Sequence, residues 1–175
     1  MEVTLRDIQY EDVQIVKPWL TDKENAKFLD PFFQNESLRD EQLAFFLMRR
    51  DRRIFLILYD DTPVGIMGLT NIDEINRSTE IWSLLGEKTY RKKGLITIGH
   101  ILALKKAFQE LGMLSVHAWV VEGNYTISVC EKLGFKTIGR QRQCHFIDGV
   151  FKDRILFDIL HSEFKVPPQQ IKQAP

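Results

Sequence analysis

"YRKKGLITIGH", residues 90–100, sets three cations ahead of a glycine and then opens into an apolar helical pattern. Arg91, Lys92, Lys93 and Gly94 form the turn, and the chain from Leu95 onward reads as helix. The first backbone N–H groups of a helix lack an intrahelical partner and carry partial positive charge, so an anion is their natural ligand. Gly94 lets the backbone come close to that ligand, and the Arg and Lys side chains add charge-assisted hydrogen bonds. A pyrophosphate fits this arrangement; the plainer reading is a solvated basic turn with a glycine bend. Neither common phosphate fingerprint is present. The stretch lacks the Gly, four residues, Gly-Lys-Ser/Thr pattern, and no three-glycine turn follows the first strand.

Working outward, the helix from about 96 to 111 carries Ile101, Leu104, Phe108 and Leu111 on one stripe and stops at Gly112. "LSVHAWVV" (114–121) follows as a strand and "NYTISVCEKLGF" (124–135) as a short helix closed by Gly134. Residues 136–160 read as a long hairpin turning at Asp148–Gly149. On the other side, "RIFLILYDD" (53–61), "TPVGIMGLTNID" (62–73) and "STEIWSLLGE" (78–87) read as three strands joined by polar turns. "VTLRDI" (3–8) is a first strand, and Asp12 caps a helix with Val13, Val16 and Leu20, expected to kink or break at Pro18. Residues 30–37 read as a loop, and Ser37 with Asp40 three residues later marks a helix over 38–50. The order β, α, α, β, β, β, α, β, α, β, β gives a mixed α/β domain over residues 1–165. The Pro-rich stretch 166–175 is expected to be a flexible tail.

Bulk properties narrow the function. A chain of 175 residues is long enough for one real core. Its 24 basic and 24 acidic side chains cancel, which argues against a general nucleic-acid binder. There is no N-terminal export pattern and no apolar run near the roughly 20 residues a membrane span needs, so the cytoplasm is the expected compartment and no membrane partner is expected. Cys130 and Cys144 have no metal-ligand or disulfide spacing, and no metal is expected.

Four pieces taken together resemble the GNAT acyl-CoA-dependent N-acetyltransferases. "VGIMGLTNIDEINRSTEI" is similar to the family's third strand, turn and fourth strand. "RKKGL" is similar to its pyrophosphate loop. "VVEGNYTISVCEKLGF" is similar to its fifth strand, Asn turn and following helix, and "HFIDGVFKDRILFDIL" to its last hairpin. The likeness covers about residues 3 to 164 and points to the branch of ribosomal-protein N-terminal, spermidine and amino-sugar acetyltransferases. It implies the GNAT fold with a splay between the fourth and fifth strands. It also implies acetyl-CoA as co-substrate and direct attack of a primary amine on the thioester.

The resemblance also assigns residues. Coenzyme A binding falls on Arg91, Lys92, Lys93, Gly94, Leu95, Ile96 and Thr97, on the strand end Leu84, Leu85 and Gly86, and on Asn124. Ile96 stands where the family usually has Gly or Ala, and its side chain either crowds the phosphate or points into the core. Glu80 is the expected base, with Ser83 as a water ligand. Cys130 stands where many relatives have a Tyr as leaving-group acid; Tyr125 is an outside candidate for that role. Asp30, Phe33 and His145 are expected at the acceptor pocket. Each has a bland reading too: a strand-end residue, a solvated Glu, a buried thiol, a helix cap for Asn124 or a satisfied sheet histidine. The acceptor implied first is an amino sugar, free or nucleotide-linked, then a protein N-terminus, then a polyamine. A homodimer is compatible with the resemblance. A non-catalytic acyl-CoA-binding module on the same fold is the alternative of another class, and it predicts binding without turnover.

Overall fold

The computed structural model describes residues 2–166. Its elements are β1 (Val3–Asp7), α1 (Val13–Thr21), α2 (Lys23–Ala26), α3 (Asp40–Leu47), β2 (Arg53–Tyr59), β3 (Thr62–Asp73) and β4 (Ser78–Leu85). They continue with α4 (Leu95–Lys105), β5 (Ser115–Val121), α5 (Thr126–Lys132), β6 (Lys136–Ile147) and β7 (Val150–Leu160). The strands form one sheet in the order β1-β2-β3-β4-β5-β7-β6, antiparallel throughout except for the parallel pair β4–β5. Among the described residues no helix is long and apolar enough to cross a membrane.

The continuous apolar run of β2 has a simple cause: both faces of the sheet are covered. Phe55 and Ile57 point into one core with Met67, Leu69 and residues of α4. Ile54, Leu56 and Leu58 alternate into a second core with α1 and α3. Each fully buried Leu or Ile contributes ~1.5–3 kcal/mol, so these two layers dominate the stability. Gly99 lets α4 lie close to the sheet, since a Cβ there would sit 2.9 Å from the Met67 methyl.

Three local expectations are corrected. Of the kink or break expected at Pro18, the break is absent: the first helix runs through Pro18 to Thr21, and the Asp22 N–H donates to the Pro18 carbonyl. The chain loses the one N–H that Pro lacks but keeps the flanking turns buried through Val16 and Leu20. The helix expected from Ser37 starts at Asp40, where the Gln42 side chain accepts from the Arg39 amide at 3.0 Å. The loop 30–37 holds a short 3-10 turn, Pro31–Gln34, because Asp30 accepts from the Phe32 amide at 2.8 Å. The last hairpin turns at Asp148 and Gly149, both at positive φ, as a two-residue turn of matching twist demands. Of the tail expected over 166–175, Val166 packs against the larger core and the rest lies outside the described residues.

Candidate active site

β4 and β5 pair over three positions only: Ser78–Ser115, Thr79–Val116 and Glu80–His117. Yet β4 runs on to Leu85 and β5 to Val121. The strands therefore part after Glu80, and a cavity of about 830 Å3 opens between them.

The turn into α4 forms one end of that cavity. The first helical bond is Ile98 N–H to Gly94 C=O at 3.1 Å, so the amides of Leu95, Ile96 and Thr97 have no partner inside the helix. Gly94 holds φ +75°, and nothing lies within 4 Å of where its Cβ would be. Open space before three amides without intrahelical partners is a geometry that suits phosphate oxygens. Arg91 and Lys92 line it; Lys93 does not, and its ammonium stands 4.7 Å from the Tyr90 ring centroid and 5.4 Å from that of Tyr59. The Ile96 side chain is in the core, 5% exposed, so it does not crowd the cradle. Behind it, His100 is fully buried. Its Nδ1–H donates to the Ile96 carbonyl at 2.8 Å, and burial pushes its pKa down to about 4.

Along the middle, Ser83, Leu84 and Leu85 border the gap, while Gly86 does not. A Cβ on Gly86 would lie 2.0 Å from the Trp19 indole, so that glycine makes room for Trp19. Asn124 lines the gap and also caps α5, its Oδ1 accepting from the Thr126 amide at 2.9 Å. Tyr125 borders the same region and is largely exposed. Cys130 lines the wall but is buried, and burial pushes its thiol up to about 12. Such a thiol gives up a proton far less readily than an ordinary one near pKa ~8.5.

At the far end stands Glu80, the last paired residue before the strands diverge. Its side chain is 20% exposed, and the His117 Nε2 lies 3.9 Å away on the neighbouring strand. Burial, and then the charge of Asp30, raise the Glu80 pKa. The Trp119 indole and the charges of Arg154 and Arg52 work the other way. Asp30 and Phe33 line this end, and Phe33 packs edge-on to Phe46 and tilted against Trp82. His145 is placed elsewhere. Its Nε2–H donates to the Lys27 carbonyl at 2.7 Å, and its Nδ1 accepts from the Arg154 guanidinium at 2.8 Å. It is a satisfied buried histidine that ties the last hairpin to the segment after α2, and it does not line the cavity.

Arg52, Phe46 and His100 also line the cavity, and none is singled out by sequence reasoning. Arg52 sits in the basic run 49–53, where nothing in the pattern separates it from its neighbours. His100 carried a weak signal, as the one titratable residue amid the apolar start of α4.

A cleft between parting parallel strands, with a helix N-terminus at one end and a largely buried carboxylate at its apex, suits a ligand that carries phosphate and a reaction that needs a base. A family model described as an acetyltransferase (GNAT) domain matches residues 2–136, and the chain belongs to that family. GNAT acetyltransferases use acetyl-CoA as donor, and the amides of Leu95, Ile96 and Thr97 with Gly94, Arg91 and Lys92 fit its pyrophosphate.

Among relatives, the chain is 30% identical over 110 residues to YdaF of Bacillus subtilis (strain 168), provisionally named a ribosomal N-acetyltransferase. That match spans 62% of this chain and 60% of YdaF. It is 28% identical to YokL, a prophage-derived uncharacterized N-acetyltransferase of the same strain, over 94% of this chain and 93% of YokL. The fold is also that of a spermidine N-acetyltransferase from Vibrio cholerae solved with CoA and spermine. There the TM-score is 0.82 at 20% identity, over 93% of this chain and 97% of that one.

Proposed function

We propose that the protein transfers the acetyl group of acetyl-CoA to a primary amine by direct attack on the thioester, with Glu80 as the base. The observation that carries this reading is the position of Glu80 at the apex of the splay, in the same cavity as the α4 cradle. An amine near pKa ~10 is protonated at neutral pH and must lose a proton before it can attack. A carboxylate with a raised pKa is a better match for that proton than an exposed Glu. Bound in the cleft, acetyl-CoA supplies the thioester carbonyl. The Cys130 thiol is buried and held at about 12, so the proton for a leaving thiolate comes from solvent or from Tyr125, which borders the same cavity.

The relatives named above support an N-terminal amine or a polyamine as acceptor. None of them supports the amino sugar ranked first from the sequence. The test is thiol release from acetyl-CoA against a panel of dipeptide amides, spermidine and phosphorylated amino sugars, with calorimetry of acetyl-CoA binding alongside. Turnover on one class is expected. Tight binding with no turnover on any amine replaces this reading with the non-catalytic acyl-CoA-binding module.

A further inference from the structure

Arg52 is the unexplained group in the cavity. Its side chain is 8% exposed, and its Nε is buried with no hydrogen-bond partner among the described residues. The guanidinium carbon stands over Phe46, 3.8 Å from the ring centroid, and an aromatic ring offers Nε no acceptor in its plane. The nearest acid does not satisfy it. Asp51 Oδ1 is 3.9 Å from Nε, and the two Asp51 oxygens already accept from Arg49 at 3.0 Å each. A buried cation with an unsatisfied donor is costly unless something arrives to accept from it. Arg52 lines the same cavity as Glu80 and Asp30, and both carboxylates act on its charge.

Resting on the acetyl-transfer reading, we propose that Arg52 holds the oxygen of a carbonyl or carboxylate next to the reacting nitrogen. The acceptor is then an α-amino compound: a peptide N-terminus or a free amino acid. In such a molecule the amine and the carbonyl oxygen belong to one residue. A carboxylate base and a guanidinium facing one end of a cavity complement that pair. Phe33 and Trp82, which line this end of the cavity and pack against each other, give the acceptor side chain an apolar surface. A polyamine has no group for Arg52 to hold and brings further positive charge toward a buried cation.

The experiment compares wild type with Arg52→Met, which keeps an unbranched apolar stem without the guanidinium, and with Arg52→Lys, which keeps the charge without the fork. The probes are dipeptide amides, free amino acids, alkyl amines of matched size, spermidine and glucosamine 1-phosphate. Dipeptide amides and free amino acids distinguish the carbonyl from the carboxylate source. Expected is a wild-type preference for one of these over the matched alkyl amine. Arg52→Met should raise the KM for that acceptor by roughly tenfold or more, with Arg52→Lys in between and acetyl-CoA affinity unchanged. Equal KM in wild type and Arg52→Met, or a wild-type preference for spermidine or the phosphosugar, overturns the assignment. If no amine is turned over, the acetyl-transfer reading fails, and calorimetry of dipeptide amides and free amino acids on the CoA complex still decides the subsite. Binding lost in Arg52→Met sustains it; unchanged or absent binding overturns it.

Discussion

The two ends of the cleft are built from different materials. The donor end is made mostly of backbone: three consecutive amides at the start of α4, brought into reach by one glycine at φ +75°. The acceptor end is made of side chains from far-apart segments, with Asp30, Phe46, Arg52, Glu80 and Trp82 meeting only after the sheet forms. An amide cradle tolerates a change of side chain, as Ile96 shows by turning into the core. A side-chain pocket has no such tolerance, because each group is one substitution from loss. The donor end should therefore be sensitive to backbone and charge, and the acceptor end to single functional groups.

The largest effect should come from the acceptor end. Glu80→Gln keeps the shape and removes the base, and kcat should fall by ~10³-fold, within the usual range for a general base. The wild-type rate should fall as pH drops through the raised Glu80 pKa. In the variant that limb should vanish, leaving only the titration of the acceptor amine. Stability runs the opposite way. A carboxyl whose folded pKa is raised contributes stability below its unfolded pKa and loses it as pH rises through the folded one. Glu80→Gln should thus melt no lower than wild type at pH 8. A variant with near-wild-type kcat would remove Glu80 from the chemistry and, with it, the contrast between the two ends.

Next in size is a stability effect at the donor end, with the opposite sign. His100 is held neutral at a pKa of about 4, whereas an unfolded histidine titrates near pKa ~6.5. Its contribution is intact above pH ~6.5 and is lost as pH falls toward 4, by about 3 kcal/mol over that window. Urea unfolding of wild type and His100→Gln between pH 7 and 5 measures it, and the variant should show the shallower slope. Equal slopes would mean that the buried imidazole is not what carries the acid limb.

Gly94 gives the third test, in two grades. Gly94→Ala meets no atom, so it should cost only the left-handed strain of ~1–2 kcal/mol in stability, with acetyl-CoA affinity nearly kept. Gly94→Asp sets an anion in the cradle and should weaken acetyl-CoA about 100-fold, equivalent to ~2.7 kcal/mol. Calorimetry separates the two. Equal affinities in both variants would deny that the α4 amides hold an anion.

The same contrast explains what could be read before folding. The donor end was legible because its parts are contiguous: a basic turn, Gly94 and the helix start all lie within residues 91–97. The succession of strands and helices was legible through the change of hydrophobic period, and the Asp148–Gly149 turn through its chemistry. Lys93 and Gly86 mark the limit even in contiguous stretches, since Tyr59, Tyr90 and Trp19 draw them away from the cavity. His145 was legible only as a choice between a pocket residue and a satisfied sheet histidine, and Arg52 was not legible at all, for another reason. Their roles depend on the register of β6 and on which of several arginines meets Phe46, and both are set by tertiary packing. The bulge between Gln141 and His145, with Gln143 at positive φ, turns His145 inward to Arg154 and Lys27.

The smallest effect should be at Cys130, although it stands in the slot that the family resemblance makes catalytic. A general acid must hold a proton near the working pH and yield it to the departing thiolate. Burial holds this thiol at about 12, so a transfer from it would run uphill against an ordinary thiolate of pKa ~8.5. The residue is instead one of the small members of the core beside Val129 and Leu133. Cys130→Ala should leave kcat within about twofold and cost ~1 kcal/mol of stability through lost packing. Should Cys130→Ala lose more than tenfold in kcat at unchanged melting temperature, the thiol would be acting in the chemistry. The middle of the cleft would then share the dependence on single groups that sets the acceptor end apart.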